Sequence, residues 1–237
     1  MDNGIYNILS GQMGVFNNLN VVANNVANTN TYGYKTDMML FQQYLTKDVH
    51  DVNAMPNDIS TISDYKEGPV KVTNRSLDFS IYGQGFFMVQ TPLGIRYTRN
   101  GHFSRNTDNV LVTTEGYPVL SMDGDQIVFQ IDDGEPATTG DGSVYVGAEP
   151  RGVLGVVHFS NPKLLRKAEN GLFISDIPSE ISQQHKVVQG TLEESNVTPI
   201  LEMNKLIELH RQSELSSSLM DGIYSVQKSA YRAFSKQ

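Results

Sequence analysis

The feature that most constrains this chain is a change of apolar periodicity, which is heptad-like at both ends and of period two in the middle. Near the N-terminus apolar residues recur at alternating steps of three and four, the spacing of an amphipathic helix with one apolar seam. The seam contains Ile5, Ile8, Val15, Leu19, Val22 and Val26, with Gln12 interrupting it and Leu9, Phe16 and Ala23 beside it. Gly4, Gly11 and Gly14 each cost about 1 kcal/mol relative to Ala in a helix interior, so this helix is expected to need a packing partner.

A second helix is predicted at the C-terminal end. Asn196 or Thr198 is placed to cap it, and Pro199 suits its first turn. Two apolar stripes follow, and a helix with two such stripes has more than one neighbour to contact. The first stripe contains Met203, Leu206, Met220, Tyr224, Tyr231 and Phe234, and the second contains Leu209, Leu219, Ile223, Val226, Ala230 and Ala233. The alternative, in which one side only packs on the chain's own globular part, stays open.

Between the two ends, short runs with a period of two predict strands. They lie at residues 77–81, 86–89, 110–112, 127–129, 144–146 and 153–159. Asn-Gly and Asp-Gly pairs, which favour hairpin turns, separate several of them: Asn100-Gly101, Asp123-Gly124, Asp133-Gly134 and Asp141-Gly142. The predicted fold is therefore of mixed α and β class, with N- and C-terminal helices that pair as a coiled-coil base and an inserted all-β domain. The predicted parts are 1–36 (helix and Asn-rich turn), 37–69 (linker or extended arm), 70–186 (β domain) and 187–237 (C-terminal segment and helix).

Composition excludes several classes of function. The formal net charge is −8, whereas a protein that binds nucleic acid through its phosphates needs a basic face. The absence of cysteine rules out disulfides and thiolate chemistry. The apolar runs are far shorter than the roughly 20 residues of a membrane-spanning helix, and no cleavable signal peptide is expected.

No chemical motif predicts an enzyme. Gly83-Gln84-Gly85 begins like a dinucleotide fingerprint, but Met88 stands in place of the last glycine and a strand-like run follows, so a turn is predicted. Asp123-Gly124-Asp125 lacks the bidentate Glu of a calcium loop. The histidines at positions 50, 102, 158, 185 and 210 form no metal-ligand spacing, and no serine lies in a nucleophile elbow. We expect no catalytic, cofactor or metal site.

The arrangement of two heptad-like ends around a β domain favours an assembly subunit. Contacts between copies that do not close into a ring generate helical filaments. The residues predicted to form this assembly interface are Ile5, Ile8, Val15, Leu19, Val22, Val26, Leu206, Leu219, Met220, Ile223, Tyr224, Val226, Tyr231 and Phe234. The alternative function is a secreted, adhesin-like β-domain binding module with helical ends, which would need a ligand face on the β domain and no self-assembly.

Three blocks of residues resemble the flagellar rod and hook protein family. The first is Ala23-Asn24-Asn25-Val26-Ala27-Asn28 followed by Asn30-Thr31-Tyr32-Gly33-Tyr34-Lys35. The second comprises, in order, Leu77-Asp78, Gly83-Gln84-Gly85-Phe86-Phe87, Tyr97-Thr98-Arg99-Asn100-Gly101-His102-Phe103 and Leu111-Val112-Thr113. The third is Gln189-Gly190-Thr191-Leu192-Glu193-Glu194-Ser195-Asn196-Val197, followed by Glu202-Met203 and Arg211. The signature residues taken as candidates are Asn24, Asn25, Asn28, Gly33, Gly83, Gly85, Phe86, Phe87, Gly190, Ser195, Asn196 and Val197.

The resemblance implies a non-enzymatic structural subunit of the flagellar basal-body rod. Such subunits are expected to pair their terminal helices into an inner tube, to assemble with themselves and with other rod subunits, and to be exported by the flagellar type III apparatus to the periplasm-spanning rod. No nucleic acid, membrane insertion or small-molecule substrate is expected. The short chain and the modest arm between Phe41 and Leu77 resemble the proximal rod type, with the distal rod type as the alternative. Two residues depart from the family pattern: Asn109 stands where Gly is usual, and Ser213 stands where an aromatic residue usually follows Arg211.

Overall fold

The structure, a computed structural model, describes residues 2–48, 51–182 and 185–234, without the side chains of 2–7, 41–48, 51–59, 227, 230, 233 and 234. The predictions for His50 and for the side chains of Ile5 and Phe234 therefore lie outside the described residues. The chain divides into two compact units. The helical unit contains residues 1–27, 37–64 and 198–237, and the β unit contains residues 28–36 and 65–197.

Two long helices form most of the helical unit. They are α1 (Asp2–Ala27) and α2 (Pro199–Phe234), and they contact each other, which confirms the predicted pairing of the terminal helices. The pairing is antiparallel, because Asn25 near the end of α1 bonds to Glu202 in the first turn of α2. Further back along α1, Met13 lines the same groove as Ser213. The backbone N–H groups of Leu201 and Glu202 both donate to the Thr198 carbonyl, which marks the start of α2.

A hairpin completes the helical unit. Its strands β1 (Asp37–Asp48) and β2 (Asp51–Ser63) pair antiparallel, and both contact α1. The sequence predicts only a linker or an extended arm here, because residues 45–69 lack apolar alternation. The register shifts once, between Gln42 and Gln43, where the pairing passes over Asn57 next to Pro56; proline in a strand is commonly found at such irregularities.

The β unit consists of fifteen short strands among its described residues. They are β3 (Val70–Val72), β4 (Phe79–Tyr82), β5 (Phe86–Thr91), β6 (Gly94–Thr98), β7 (Ser104–Arg105), β8 (Leu111–Val112), β9 (Ala137–Thr138), β10 (Ser143–Val146), β11 (Glu149–Val153), β12 (Val156–His158), β13 (Arg166–Lys167), β14 (Leu172–Ile174), β15 (Glu180–Ile181), β16 (Lys186–Gln189) and β17 (Thr191–Glu193). The largest sheet has the order β13-β14-β6-β5-β12-β15, and β11-β10-β9 form a second sheet. Three pairs, β16-β4, β17-β3 and β7-β8, complete the unit. The predicted boundary after residue 186 falls inside strand β16.

Strand β5 lies between two apolar cores. Phe87 and Val89 belong to one core, while Phe86 and Met88 belong to the other. The first core also contains Phe79, Phe103, Leu111, Ile127 and Leu154, and the second contains Leu120, Val157, Phe159, Leu165 and Phe173. A strand that is buried on both faces carries a continuous apolar run, which is the pattern of residues 86–89.

The predicted turns have mixed outcomes. Gly124 and Gly142 both adopt positive φ in tight turns, as expected, and Asn109 adopts φ 60°, the left-handed conformation that Asn tolerates. The prediction of a hairpin turn at Asn100-Gly101 is wrong. A Cβ at Gly101 would lie 1.9 Å from the Phe79 carbonyl oxygen, so this glycine permits close backbone approach instead. The predicted strand at 127–129 is also wrong, because this segment belongs to none of the strands and forms an isolated bridge at Val128.

Candidate assembly site

Asn25 joins three elements of the helical unit. Its side chain is buried, and Nδ2 donates to the Asp37 carbonyl (2.9 Å) while Oδ1 accepts from the Asp37 N–H (3.0 Å). Nδ2 also donates to Oε2 of Glu202 at 3.1 Å. Because buried amides need partners for both their donor and acceptor atoms, Asn25 holds the end of α1 against the start of β1 and the first turn of α2.

The acidic partners of Asn25 have contacts of their own. Oε1 of Glu202 lies 2.5 Å from the Lys205 ammonium, and Oδ1 of Asp37 accepts a hydrogen bond from Ser63 Oγ at 2.6 Å. A carboxylate in the first turn of a helix is also stabilised by the helix dipole. The Asn25 junction is therefore a connected polar network and not a single contact.

A second junction, in the β unit, is an ion cluster built on Glu193. Its Oε1 lies 2.6 Å from the Lys35 ammonium, and its Oε2 lies 2.9 Å from Nε of Arg99. The side chains of Lys35, Glu193 and Arg99 are 1%, 2% and 3% exposed. Buried charges of this kind persist only when they are paired and when their remaining polar atoms are hydrogen-bonded.

Backbone carbonyls accept further hydrogen bonds from the two cations of this ion triad. Nη1 of Arg99 donates to the carbonyls of Gly83 (2.9 Å) and Gly85 (2.8 Å). The Lys35 ammonium donates to the Lys66 carbonyl at 2.7 Å. Burial, the largest effect, lowers the pKa of Lys35, while the nearby Glu193 carboxylate opposes that shift. The ion pair therefore keeps the ammonium charged in a place that disfavours charge.

Asn196 fastens the same part of the β unit. Its Oδ1 accepts from both the backbone N–H and the hydroxyl of Thr36, each at 2.7 Å, and its Nδ2 donates to the Lys66 carbonyl at 3.1 Å. Lys167 adds a further tie, since its ammonium lies 3.9 Å from the centre of the Tyr34 ring and donates to the Lys35 carbonyl. The segment 28–36 is thus held in the β unit by side chains from several distant parts of the chain.

Gly33 lets this segment enter the junction. It adopts φ +69°, and a Cβ there would lie 2.4 Å from the Asn100 nitrogen. Its N–H donates to the Glu193 carbonyl at 2.8 Å. Only glycine combines this backbone conformation with so close an approach.

The remaining signature residues have local roles. The Asn28 carbonyl and side-chain oxygen accept hydrogen bonds from Thr31. Ser195 Oγ accepts from the N–H of the buried Val197, and Gly190 adopts φ +72° between β16 and β17. Phe86 and Phe87 lie in the two cores, and Asn24 is exposed.

The buried face of α2 follows a heptad spacing. Its buried and half-buried residues between positions 200 and 226 are Glu202, Leu206, Leu209, Ser213, Ser216, Met220 and Ile223, and every other residue of that range is exposed. These seven residues recur at alternating steps of four and three, which places them on one side of the helix. Because α1 is the helix that contacts α2, they form the seam toward α1. The seam draws members from both predicted stripes, so the structure divides α2 differently from the sequence prediction.

The predicted interface residues fall into two groups. Val22 is buried, and the half-buried ones are Ile8, Val15, Leu19, Val26, Leu206, Met220 and Ile223. Leu219, Tyr224, Val226 and Tyr231 are exposed. Only the second group is available to other molecules in this structure. Val226, Leu219 and the unpredicted Leu215 lie on neighbouring positions of one exposed side of α2.

A further exposed apolar surface lies on α1. Met13 is 61% exposed, Phe16 is 60% exposed and Leu9 is also exposed. Together with Gln12, Asn17 and Ser213 they line a groove of about 240 Å³ in the helical unit. Ser213 is the position at which the family resemblance leads one to expect an aromatic residue, and the small side chain leaves this groove open.

Sequence reasoning missed the ion triad. Lys35, Arg99 and Glu193 each stand inside a quoted signature block, but none was predicted as a site residue. The available signal was the presence of charged residues in these blocks: Lys35 in the first, Asp78 and Arg99 in the second, and Glu193, Glu194, Glu202 and Arg211 in the third. Charge alone does not reveal which of these residues are buried together.

Comparison with known proteins matches each part of the chain. Residues 5–35 match the family model of the flagella basal body rod protein, residues 80–148 that of the flagellar hook protein FlgE/F/G D1 domain, and residues 188–230 that of the flagellar basal body rod FlgEFG protein C-terminal. The chain is 35% identical to the flagellar basal-body rod protein FlgF of Caulobacter vibrioides, and the alignment covers 100% of this chain and 99% of that protein. The chain belongs to the flagellar basal-body rod protein family. The ion triad and the Asn25 junction are therefore features of a rod protein.

Two other relatives refine the position of this rod protein within the family. It is 33% identical to the flagellar basal-body rod protein FlgF of Rhizobium meliloti, over 93% of this chain and 92% of the relative. It is 28% identical to the flagellar basal-body rod protein FlgG of Bacillus subtilis, over 91% of this chain and 93% of the relative. The prediction that it resembles the proximal rod type more than the distal type is confirmed.

The described residues of this rod protein contain neither a membrane-spanning helix nor a cluster of metal ligands. Neither helix has a stretch long and apolar enough to cross a membrane. Within residues 2–48, 51–182 and 185–234, no group of three or more His, Asp or Glu side chains is arranged to hold a metal ion.

Proposed function

We propose that this rod protein is a non-enzymatic structural subunit of the flagellar rod that polymerises through its terminal helices as part of the drive shaft. Its partners are other copies of itself and other rod subunits. It reaches the periplasm-spanning rod through the flagellar type III export apparatus. The family match favours this function over an adhesin-like binding module.

The observation that carries the proposal is the exposed apolar surface of the paired helices. Leu219 is 61% exposed, and Leu215 and Val226 are exposed on the same side of α2. When one apolar face of a helix packs on its partner and a second apolar face lies in solvent, the second face is free to bind another molecule. Exposed apolar patches of this kind mark sites of protein interaction.

The test is Leu219→Asp. The side chain is exposed in the single chain, so the β unit should melt normally and the helices should still pair. If neighbouring subunits cover this side of α2 in the assembled rod, the new carboxylate is buried without a partner. Burial of an unpaired charge costs several kcal/mol, which is enough to abolish a subunit contact. We expect the variant to be absent from isolated basal bodies and the cells to be non-motile.

The matched control is Leu93→Asp, which places the same charge on a leucine in the exposed turn between β5 and β6 of the β unit. This variant should enter basal bodies. Ile223→Asp would not test the exposed side of α2 by itself, because Ile223 is half-buried in the seam toward α1 and its replacement would also disturb the pairing of the helices. Normal incorporation and motility of Leu219→Asp would show that this side of α2 is not an assembly surface.

A further inference from the structure

Helix α2 continues beyond the end of its partner. Asn25 lies level with Glu202, and Asp2 precedes Asn25 by 23 residues, so Asp2 lies level with about residue 225 of the antiparallel α2. Helix α2 ends at Phe234. Its last nine residues therefore extend about 13 Å past α1, at 1.5 Å per residue.

The last nine residues of α2, 226–234, are called the overhang here, and the apolar seam of α2 continues onto them. Tyr231 follows Ser213 by 18 residues, which is five helical turns, so the two side chains lie on the same side of α2. Ser213 is half-buried because α1 covers it, whereas Tyr231 is 77% exposed. The overhang thus presents a large aromatic side chain at the position where a partner helix would cover it.

The helical unit also has an open place for such a side chain. The groove beside Ser213 contains about 240 Å³ and is lined by uncharged residues, including the exposed Leu9, Met13 and Phe16. This volume equals about eight water molecules at roughly 30 Å³ each, which is enough for one tyrosine side chain. Tyr231 cannot reach this groove in its own chain, because five helical turns separate it from Ser213.

Charge favours the same contact. The overhang carries Lys228 and Arg232, and no acidic residue follows Asp221. Helical spacing places Glu214 and Asp221 on the side of α2 next to Ser213. A basic overhang that approaches the groove of another copy would meet these two acidic side chains.

We propose that the overhang of α2 docks on a second copy of this chain, with Tyr231 seated in the groove formed by Leu9, Met13, Phe16 and Ser213. This inference rests on the proposed function, since it names the partner surface for one end of the helical pair. The contact joins two different surfaces and therefore leaves each copy with one of them free, which is the geometry that builds open assemblies.

The test uses engineered cysteines in a chain that has none of its own. The double variant Met13→Cys/Tyr231→Cys is placed in cells, and basal bodies are isolated and oxidised. Within one copy the two positions are about 27 Å apart at 1.5 Å per residue, so a disulfide between them can only join two copies. We expect disulfide-linked dimers and larger oligomers of this chain in the double variant. The single variants Met13→Cys and Tyr231→Cys should give none.

A charge variant gives a second measurement. Met13→Asp should reduce incorporation into basal bodies by about tenfold or more, the effect of losing roughly 1.4 kcal/mol from a contact, whereas Leu93→Asp should not. Absence of oligomers from oxidised basal bodies that contain the double variant would overturn the inference, and so would a Met13 cross-link to a protein of different mass. Both results would leave the proposed function standing. Normal incorporation of both Met13→Asp and Leu219→Asp would refute the proposed function itself.

Discussion

Replacement of Glu193 by Gln should destabilise the β unit more than any other single change in the ion triad. Gln has nearly the same shape, so packing is retained and the cost is electrostatic. Glu193 is the one carboxylate within 2.6 Å of Lys35 and 2.9 Å of Arg99, and the change leaves two buried cations beside a neutral amide. Removing one partner of a buried ion pair costs about 3–5 kcal/mol.

Lys35→Met provides the comparison that isolates this effect. It removes one cation but leaves Glu193 paired with Arg99. The expected cost is smaller, about 1.5–3 kcal/mol for the hydrogen bond to the charged Glu193, since the Lys66 carbonyl, the other acceptor of Lys35, keeps its bond from Asn196. The order of the two variants, with Glu193→Gln the more destabilising, follows from the arrangement of one anion between two cations.

The assay is urea unfolding at neutral pH, followed by near-ultraviolet circular dichroism of the aromatic residues in the two cores of the β unit. For a unit of this size the loss predicted for Glu193→Gln corresponds to a fall in Tm of roughly 10–15 °C. Glu115→Gln is the matched control, because Glu115 is exposed and its replacement should change the free energy of unfolding by less than about 0.5 kcal/mol. A Lys35→Met variant that is less stable than Glu193→Gln would refute the reasoning.

Three further predictions concern Lys35, Asp141 and Asn25. Burial lowers the pKa of Lys35 from 10.5, so just below that pH the unfolded chain binds more protons than the folded one. The stability of the wild type should therefore rise relative to that of Lys35→Met as pH approaches 10.5, measured by parallel urea titrations. A difference in stability that falls over this range would contradict the prediction. Hydrogen bonds from Thr139 and Ser143 lower the pKa of Asp141 from 3.8 to about 2. The stabilising contribution of this carboxylate is therefore present above pH 3.8 and is lost as pH falls toward 2. Asp141→Asn should flatten the acid unfolding curve in that range, and an unchanged curve would show that these hydrogen bonds do not contribute to stability. Asn25→Ala leaves the Asp37 backbone groups without their amide partner at a cost of about 1–3 kcal/mol, and it should lower the thermal stability of the helical signal. Asn20→Ala, at an exposed position of the same helix, should not, and equal effects would argue against the Asn25 junction.

Local spacing was enough to predict the two terminal helices and the strand β5, but not the β1–β2 hairpin. The three- and four-residue steps around Val15 and Leu206 predict helices because 3.6 residues complete a helical turn. The double-sided burial of β5 is visible in residues 86–89 as a continuous apolar run. Turn glycines were less predictable: Gly142 turns the chain as expected, whereas Gly101 makes room for the backbone of Phe79, and the same residue type serves both purposes.

The sequence by itself determined that both ends are amphipathic helices, that the middle is a β domain, and that the chain carries the signature of a rod protein. These properties depend on spacings of a few residues and on short blocks. Only the tertiary structure decided which helix face is buried, because the antiparallel match to α1 draws its seam from both predicted stripes of α2. Within the second stripe it covers Ile223 and leaves Leu219 exposed. It also decided that Lys35, Arg99 and Glu193 form one buried cluster. Their charges lie far apart in the chain, and an ion pair exists only where the fold brings both groups out of water at the same place.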